Sequence, residues 1–116
     1  MIFSLRDKSI IGDNCYKVIH KDNVVCYFRG FLYCIKNKSG SKGIDVLINQ
    51  YIENKKVNFD EFYGAYHVIL LDMLSNKVIF FADNAGQCCF YYNMEKGMIS
   101  DSFLQLSSAI EYISPN

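Results

Sequence analysis

FDEFYGAYHVILLDMLSNKVIFFADNAGQCCFYY, running from Phe59 to Tyr92, decides how this chain is read. Its first arm, Ala65 to Met73, sets Tyr66, Val68 and Leu70 on one face. Its second arm is Val78 to Ala82. Both arms are dense in β-branched and aromatic side chains, which suit a pleated, half-buried surface. Leu74-Ser75-Asn76-Lys77 supplies a polar connection, so the arms form a hairpin. Asp83-Asn84-Ala85-Gly86-Gln87 then breaks the pattern. Asp83 and Gly86 mark a structural turn, with Asp83 and Asn84 as local hydrogen-bonding groups and Gly86 at positive φ. Cys88 to Tyr92 resumes as a third strand.

Upstream of this stretch lies a helix. Ile44, Leu47, Ile48, Tyr51 and Ile52 recur at i, i+3, i+4, i+7 and i+8, one face of a 3.6-residue period. Ser41 is the N-cap candidate, Asp45 suits the positive end of the helix dipole, and Lys55 and Lys56 suit the other end. Phe59 to Phe62 reads as one more helical turn before Gly64. Further upstream, Tyr16 to His20 and Val24 to Ile35 read as strands joined by the turn Lys21-Asp22-Asn23. Gly30, inside the longer strand, marks a bulge or a close approach of backbone. Ile2 to Leu5 reads as a short edge strand and Asp7 to Asn14 as a polar loop. Downstream, Met98 to Ser100 is a short strand after the Lys96-Gly97 turn. Ser102 caps a last helix with Phe103, Leu106, Ile110 and Ile113 inward, and Pro115 lies just beyond it.

Strands joined by short turns pair antiparallel. The order strands, helix, strands, helix therefore gives an α+β domain with helices on one or both sheet faces. At 116 residues the chain is one domain, 1–116, on a prior of roughly 100–200 residues per domain. It is 51% hydrophobic and 16% aromatic, which argues against disorder. So many Tyr and Phe exceed what one small core holds, so an apolar surface patch is expected.

Twelve basic and twelve acidic residues cancel, leaving no basic footprint for nucleic acid. Near-zero net charge also weakens repulsion between copies and favours a homodimer. No apolar run reaches the roughly 18 residues of a membrane span. The first residues carry no secretory h-region, and five cysteines is an odd number, so reduced thiols in a cytoplasm are expected.

Candidate chemistry is sparse. Cys88 and Cys89 are adjacent and point to opposite faces of a strand. No C-x-x-C pair exists, so the cysteines read as small buried hydrophobes and no metal is expected. A Cys/His nucleophilic pair would have to meet in space, with His20 or His67 as base. Ser39-Gly40-Ser41-Lys42-Gly43 precedes a helix but departs from the G-x-x-x-x-G-K-[ST] phosphate loop, so it reads as a solvated turn. Asp83-Asn84-Ala85-Gly86 offers one carboxylate, too few for calcium.

Three segments recur together in one known family. Gly64-Ala65-Tyr66-His67-Val68-Ile69-Leu70-Leu71-Asp72 is followed by Lys77-Val78-Ile79-Phe80-Phe81, then by Asp83-Asn84-Ala85-Gly86-Gln87-Cys88-Cys89-Phe90-Tyr91-Tyr92. Phe28-Arg29-Gly30-Phe31-Leu32-Tyr33 stands before them and Ile99-Ser100-Asp101-Ser102-Phe103 after. The series resembles the class II, N-terminal-nucleophile glutamine amidotransferase domain of asparagine synthetase-type enzymes. It covers some two-thirds of the chain. The resemblance implies two stacked antiparallel sheets between flanking helices, here in truncated form. It also implies a vestigial pocket at Phe28, Arg29, Gly30, Gly43 and Asp45. Arg29 takes the place of the family's oxyanion-hole Asn, and Gly43, two before Asp45, that of its glutamine-binding acid.

Ile2 stands where the family exposes a nucleophilic Cys. The family's Arg-Gly-Pro-Asp and Gly-His-Gln-Pro stretches have no counterpart. No catalytic residue, glutaminase activity or cofactor is therefore expected. Domains eroded in this way resemble the N-terminal parts of lasso-peptide macrocyclases and related amide-forming synthetases. This implies a scaffold or recognition role beside an ATP-dependent synthetase domain or subunit. The chain itself lacks the Ser-Gly-Gly-x-Asp-Ser loop of the ATP step. The alternative is a single-sheet sensor or protein-interaction module of PAS or profilin type.

Overall fold

The computed structural model of the protein describes residues 1–11, 15–35, 43–83, 90–102 and 106. In chain order the elements are β1 (Ile2–Ser4), β2 (Ser9–Ile11), β3 (Lys17–Lys21), β4 (Val24–Cys34) and helix α1 (Gly43–Asn54). A 3-10 turn at Phe59–Glu61 leads into β5 (Phe62–Asp72), followed by β6 (Lys77–Ala82), β7 (Tyr91–Asn93) and β8 (Met98–Ser100). The strands form two four-stranded antiparallel sheets, ordered β3-β4-β5-β6 and β2-β1-β8-β7. The expected α+β class with two antiparallel sheets is what the chain adopts.

Strand alternation builds the layers. β4 and β5 pair over their full length, from Val24↔Asp72 to Cys34↔Phe62. Even-numbered residues of both strands, Val24, Cys26, Leu32, Phe62, Tyr66, Val68 and Leu70, meet Ile44, Leu47, Ile48 and Tyr51 of α1 in one core. The 3.6-residue spacing thus buries the helix face expected of it. Odd-numbered residues turn the other way. Ile69 and Leu71, with Val25 and Tyr27 beside them, pack on Phe3 and Ile99 of the smaller sheet in a second core. The layers run helix, sheet, sheet. Two stacked sheets do not fit the single-sheet alternative.

Several boundaries differ from expectation. β1 is an inner strand between β2 and β8, not an edge. Part of the Asp7–Asn14 loop is β2, which is too short to display alternation. The first arm of the central hairpin begins at Phe62, so Gly64 lies within β5 and does not bound it. Its φ is +135°, and Gly30, on the facing strand and paired with Tyr66, has φ +110°. A Cβ on Gly30 would stand 2.1 Å from the Ala65 carbonyl oxygen, and one on Gly64 2.1 Å from that of Phe31. Gly30 is a close approach of backbone in an unbroken register. The third strand after the hairpin, β7, joins the smaller sheet.

Among the described residues, four tight hairpin connections each hold a residue of positive φ: Lys8, Asp22, Asn76 and Gly97. Lys55, also at positive φ, ends α1, its N–H donating to the Tyr51 carbonyl at 2.7 Å. Lys55 therefore caps the helix end and does not extend the helix. The Gly86 turn, the Ser39–Lys42 loop with its Ser41 cap, Cys88, Cys89 and most of the last helix lie outside the described residues. Of that last helix, Leu106 is helical and buried. Among the described residues, no helix is long and apolar enough to cross a membrane.

Candidate functional site

The inner face of the β4–β5 ladder changes character along its length. Its rungs are Val25/Leu71, Tyr27/Ile69, Arg29/His67, Phe31/Ala65 and Tyr33/Tyr63. The first two lie under the smaller sheet. The last two carry exposed side chains: Phe31, Tyr33 and Tyr63 are 68%, 52% and 55% exposed. Between them, at the mouth between the sheets, Arg29 and His67 form a polar rung.

The opposite wall of this mouth is built by the start of β1 and the end of β8, which are antiparallel neighbours with Ile2 facing Ser100. That pairing sets Met1 beside Asp101. The Met1 ammonium donates to Asp101 Oδ1 at 3.2 Å, and the two form an ion pair. The Tyr16 hydroxyl donates to Asp101 Oδ2 at 2.8 Å, and Arg29 Nη1 reaches the same oxygen at 3.4 Å. Ser100 Oγ donates to the Met1 carbonyl at 2.5 Å and accepts from the Ser102 N–H at 3.0 Å. The Tyr16 ring lies 6.3 Å from that of His67, which meets the Phe90 ring edge-on at 4.9 Å. Burial pushes the Asp101 carboxyl up. The Tyr16 hydroxyl and the Met1 ammonium more than reverse this, and the group lies below the ordinary carboxylate range. Asp101 is thus an ionised acceptor, held by a phenol and two cations.

The five residues of the expected pocket are split by the strand period. Phe28, Gly30, Gly43 and Asp45 line one open cleft of about 1250 Å³ that Phe31, Tyr33 and Tyr63 also border, while Arg29 does not. Arg29 turns to the other face of β4 and joins Asp101. Gly43 is buried at the start of α1, where a Cβ would stand 2.2 Å from the Leu32 carbonyl oxygen. Close helix–strand packing therefore explains the glycine. Asp45 is exposed on the first turn of α1. Asp83 accepts from the Tyr66 N–H at 3.4 Å, a bond to β5 across 17 residues of sequence.

Three cysteines lie among the described residues. Cys26 is buried against α1, and burial pushes its thiol up to about 12, away from a reactive thiolate. Cys34 is half-buried in the cleft and Cys15 is exposed. Among the described residues, no three His, Cys, Asp or Glu side chains cluster as metal ligands.

Sequence reasoning missed Asp101 and Tyr16 as site residues. Asp101 stood within Ile99-Ser100-Asp101-Ser102-Phe103 without a role. The signal was an acidic residue directly after an apolar strand, but its partners lie 72 to 100 residues away. Comparison of the chain with protein-family models, with curated proteins and with solved structures finds no match in any of the three.

Proposed function

We propose that the chain is a non-catalytic, degenerate amidotransferase-like domain. It serves by binding, as scaffold or recognition module for an asparagine synthetase-like, ATP-dependent enzyme that forms amide bonds in peptide or natural-product biosynthesis. The layer order of helix and two antiparallel sheets is compatible with this reading. The observation that carries it is the start of β1. Met1 and Ile2 open at the mouth between the sheets, beside Arg29 and Asp101. In the resembled enzymes the same strand end presents the nucleophile. Here neither residue brings a thiol or hydroxyl.

The test has two arms. Purified chain given glutamine should release no glutamate, and Ile2→Cys should not restore release, because Arg29 and Gly43 stand at the positions of the Asn and the acidic residue. Co-expressed with an ATP-dependent synthetase from a neighbouring reading frame, the chain should co-elute with it on size exclusion. Steady glutamate release that vanishes on a Cys→Ala change would overturn the non-catalytic half. Separate elution of the two proteins would overturn the partner half.

A further inference from the structure

The geometry points to the inner-face strip Arg29–Phe31–Tyr33 with Tyr63 as a docking surface for an extended protein segment. That segment carries a carboxylate and, at alternate positions, aromatic or aliphatic side chains. The inference is independent of the amidotransferase-like reading, since it uses only the β4–β5 ladder.

Three features of the strip converge. The first is apolar exposure in register. Phe31 and Tyr33 follow Arg29 at every second residue, so all three project from one face of β4 over about 13 Å. The Tyr33 and Tyr63 rings stack at 5.3 Å with 28° between their planes, giving a flat, rigid end to the strip. Isolated exposed apolar residues need no explanation, but a contiguous row that continues an inter-sheet core does.

The second feature is shape. Phe31 faces Ala65 across the ladder. On β5 this rung carries only a methyl group, between His67 and Tyr63 on the same strand face.

The third feature is charge. The Arg29 side chain is 53% exposed and reaches Asp101 through one nitrogen at 3.4 Å. Asp101 already accepts from Tyr16 and the Met1 ammonium, so its negative charge is shared. The guanidinium stands half in solvent at the head of an apolar row. A planar fork of donors matches a carboxylate bidentately, which a lone ammonium would not do. An extended segment repeats its same-face side chains at the pitch of β4 itself, so a carboxylate on Arg29 sets its neighbours over Phe31 and the tyrosine pair. A second copy meeting this row through the same row would bring no carboxylate to Arg29, because Phe31, Tyr33 and Tyr63 carry none.

The test uses the whole chain labelled with ¹⁵N and two synthetic peptides, acetyl-Phe-Gly-Phe-Gly-Glu-amide and its Gln counterpart. Amide shifts on titration should map to Arg29, Phe31, Tyr33 and Tyr63. The Glu peptide should bind about fivefold more tightly than the Gln peptide, the scale of a partly exposed ion pair. Arg29→Gln should erase that difference. Phe31→Ser should weaken both peptides and, because Phe31 is exposed, leave the circular dichroism spectrum unchanged. Absence of shifts with either peptide at millimolar concentration would overturn the proposal. So would equal affinity for the two peptides, or binding indifferent to Phe31→Ser. A chain that sediments as a dimer through this strip, and that the Glu peptide does not dissociate, would assign the surface to a second copy and overturn it as well.

Discussion

The Tyr51 hydroxyl donates to Asp72 Oδ2 at 2.8 Å and so joins the last turn of α1 to the end of β5. Asp72 also accepts from the Leu74 and Ser75 N–H groups, at 3.1 and 3.2 Å, which shapes the turn into β6. Lys55 Nζ lies 3.5 Å from the same carboxylate. Both Tyr51 and Asp72 are almost wholly buried. Helix, strand and hairpin turn therefore meet on one carboxylate.

This arrangement makes stability depend on pH with a definite sign. The Tyr51 hydrogen bond outweighs the burial that would push the Asp72 carboxyl up. With the Ser75 groups and Lys55 added, Asp72 lies well below the ordinary carboxylate range. A carboxyl depressed in the folded state contributes stability above its unfolded value, near pH 4, and loses it progressively as pH falls toward the folded value. Urea denaturation at neutral pH should show Tyr51→Phe less stable by about 1.5–3 kcal/mol, the scale of a hydrogen bond to a charged group. The same series taken below pH 4 should show the gap narrowing. A gap that stays constant with pH would count against Asp72 as its source.

Tyr66 presents the opposite case. Its ring is buried against Phe81, edge-on at 6.2 Å, yet its hydroxyl has no hydrogen-bond partner among the described residues. An unsatisfied buried polar group costs about 1–3 kcal/mol. Tyr66→Phe should therefore leave stability unchanged or raise it by about 1 kcal/mol. Denaturation midpoints of the two proteins settle the point, and a loss of stability would reveal a partner for the hydroxyl.

Gly30 and Gly64 close on each other's strands. Each occupies a backbone conformation that other residues rarely adopt, and each would drive a Cβ into the opposite carbonyl oxygen. Gly30→Ala and Gly64→Ala should each cost about 1–3 kcal/mol from backbone strain, with the steric clash added. Thermal melts of the two variants measure this, and wild-type melting by either would refute it.

The sequence was readable where side-chain period and burial agree. The α1 face was legible because Ile44, Leu47, Ile48 and Tyr51 all reach one core. The β5 face of Tyr66, Val68 and Leu70 was legible for the same reason. The ends of β5 were not. Gly64 has the character of a boundary residue, and only the carbonyl of Phe31 opposite explains a glycine in mid-strand. β2 was missed because Ser9-Ile10-Ile11 is three residues long and is defined by its pairing with β1. The site was half legible. Arg29 was singled out, but alternation along β4 separates it from Phe28 and Gly30. Asp101, its partner, could be assigned only once the two ends of the chain were placed together.

That meeting of distant segments bears on how the protein is made. The β3–β6 sheet and α1 are contiguous in sequence, from Lys17 to Ala82, and their pairings are between neighbours along the chain. β1 must wait for β8, some ninety residues later, before it acquires its second neighbour. During vectorial synthesis the larger sheet is complete before β8 is made, so Tyr27, Ile69, Leu71 and Phe80 still lack the cover of Ile99, and Phe3 lacks its β8 neighbour. Contacts of such long sequence separation form late and leave the nascent chain open to association through that uncovered face. Pulse-labelled hydrogen exchange during refolding should accordingly protect the amides of β4 and β5 before those of β1 and β8. Simultaneous protection of both sheets would mean that the chain ends find each other as early as the hairpins form.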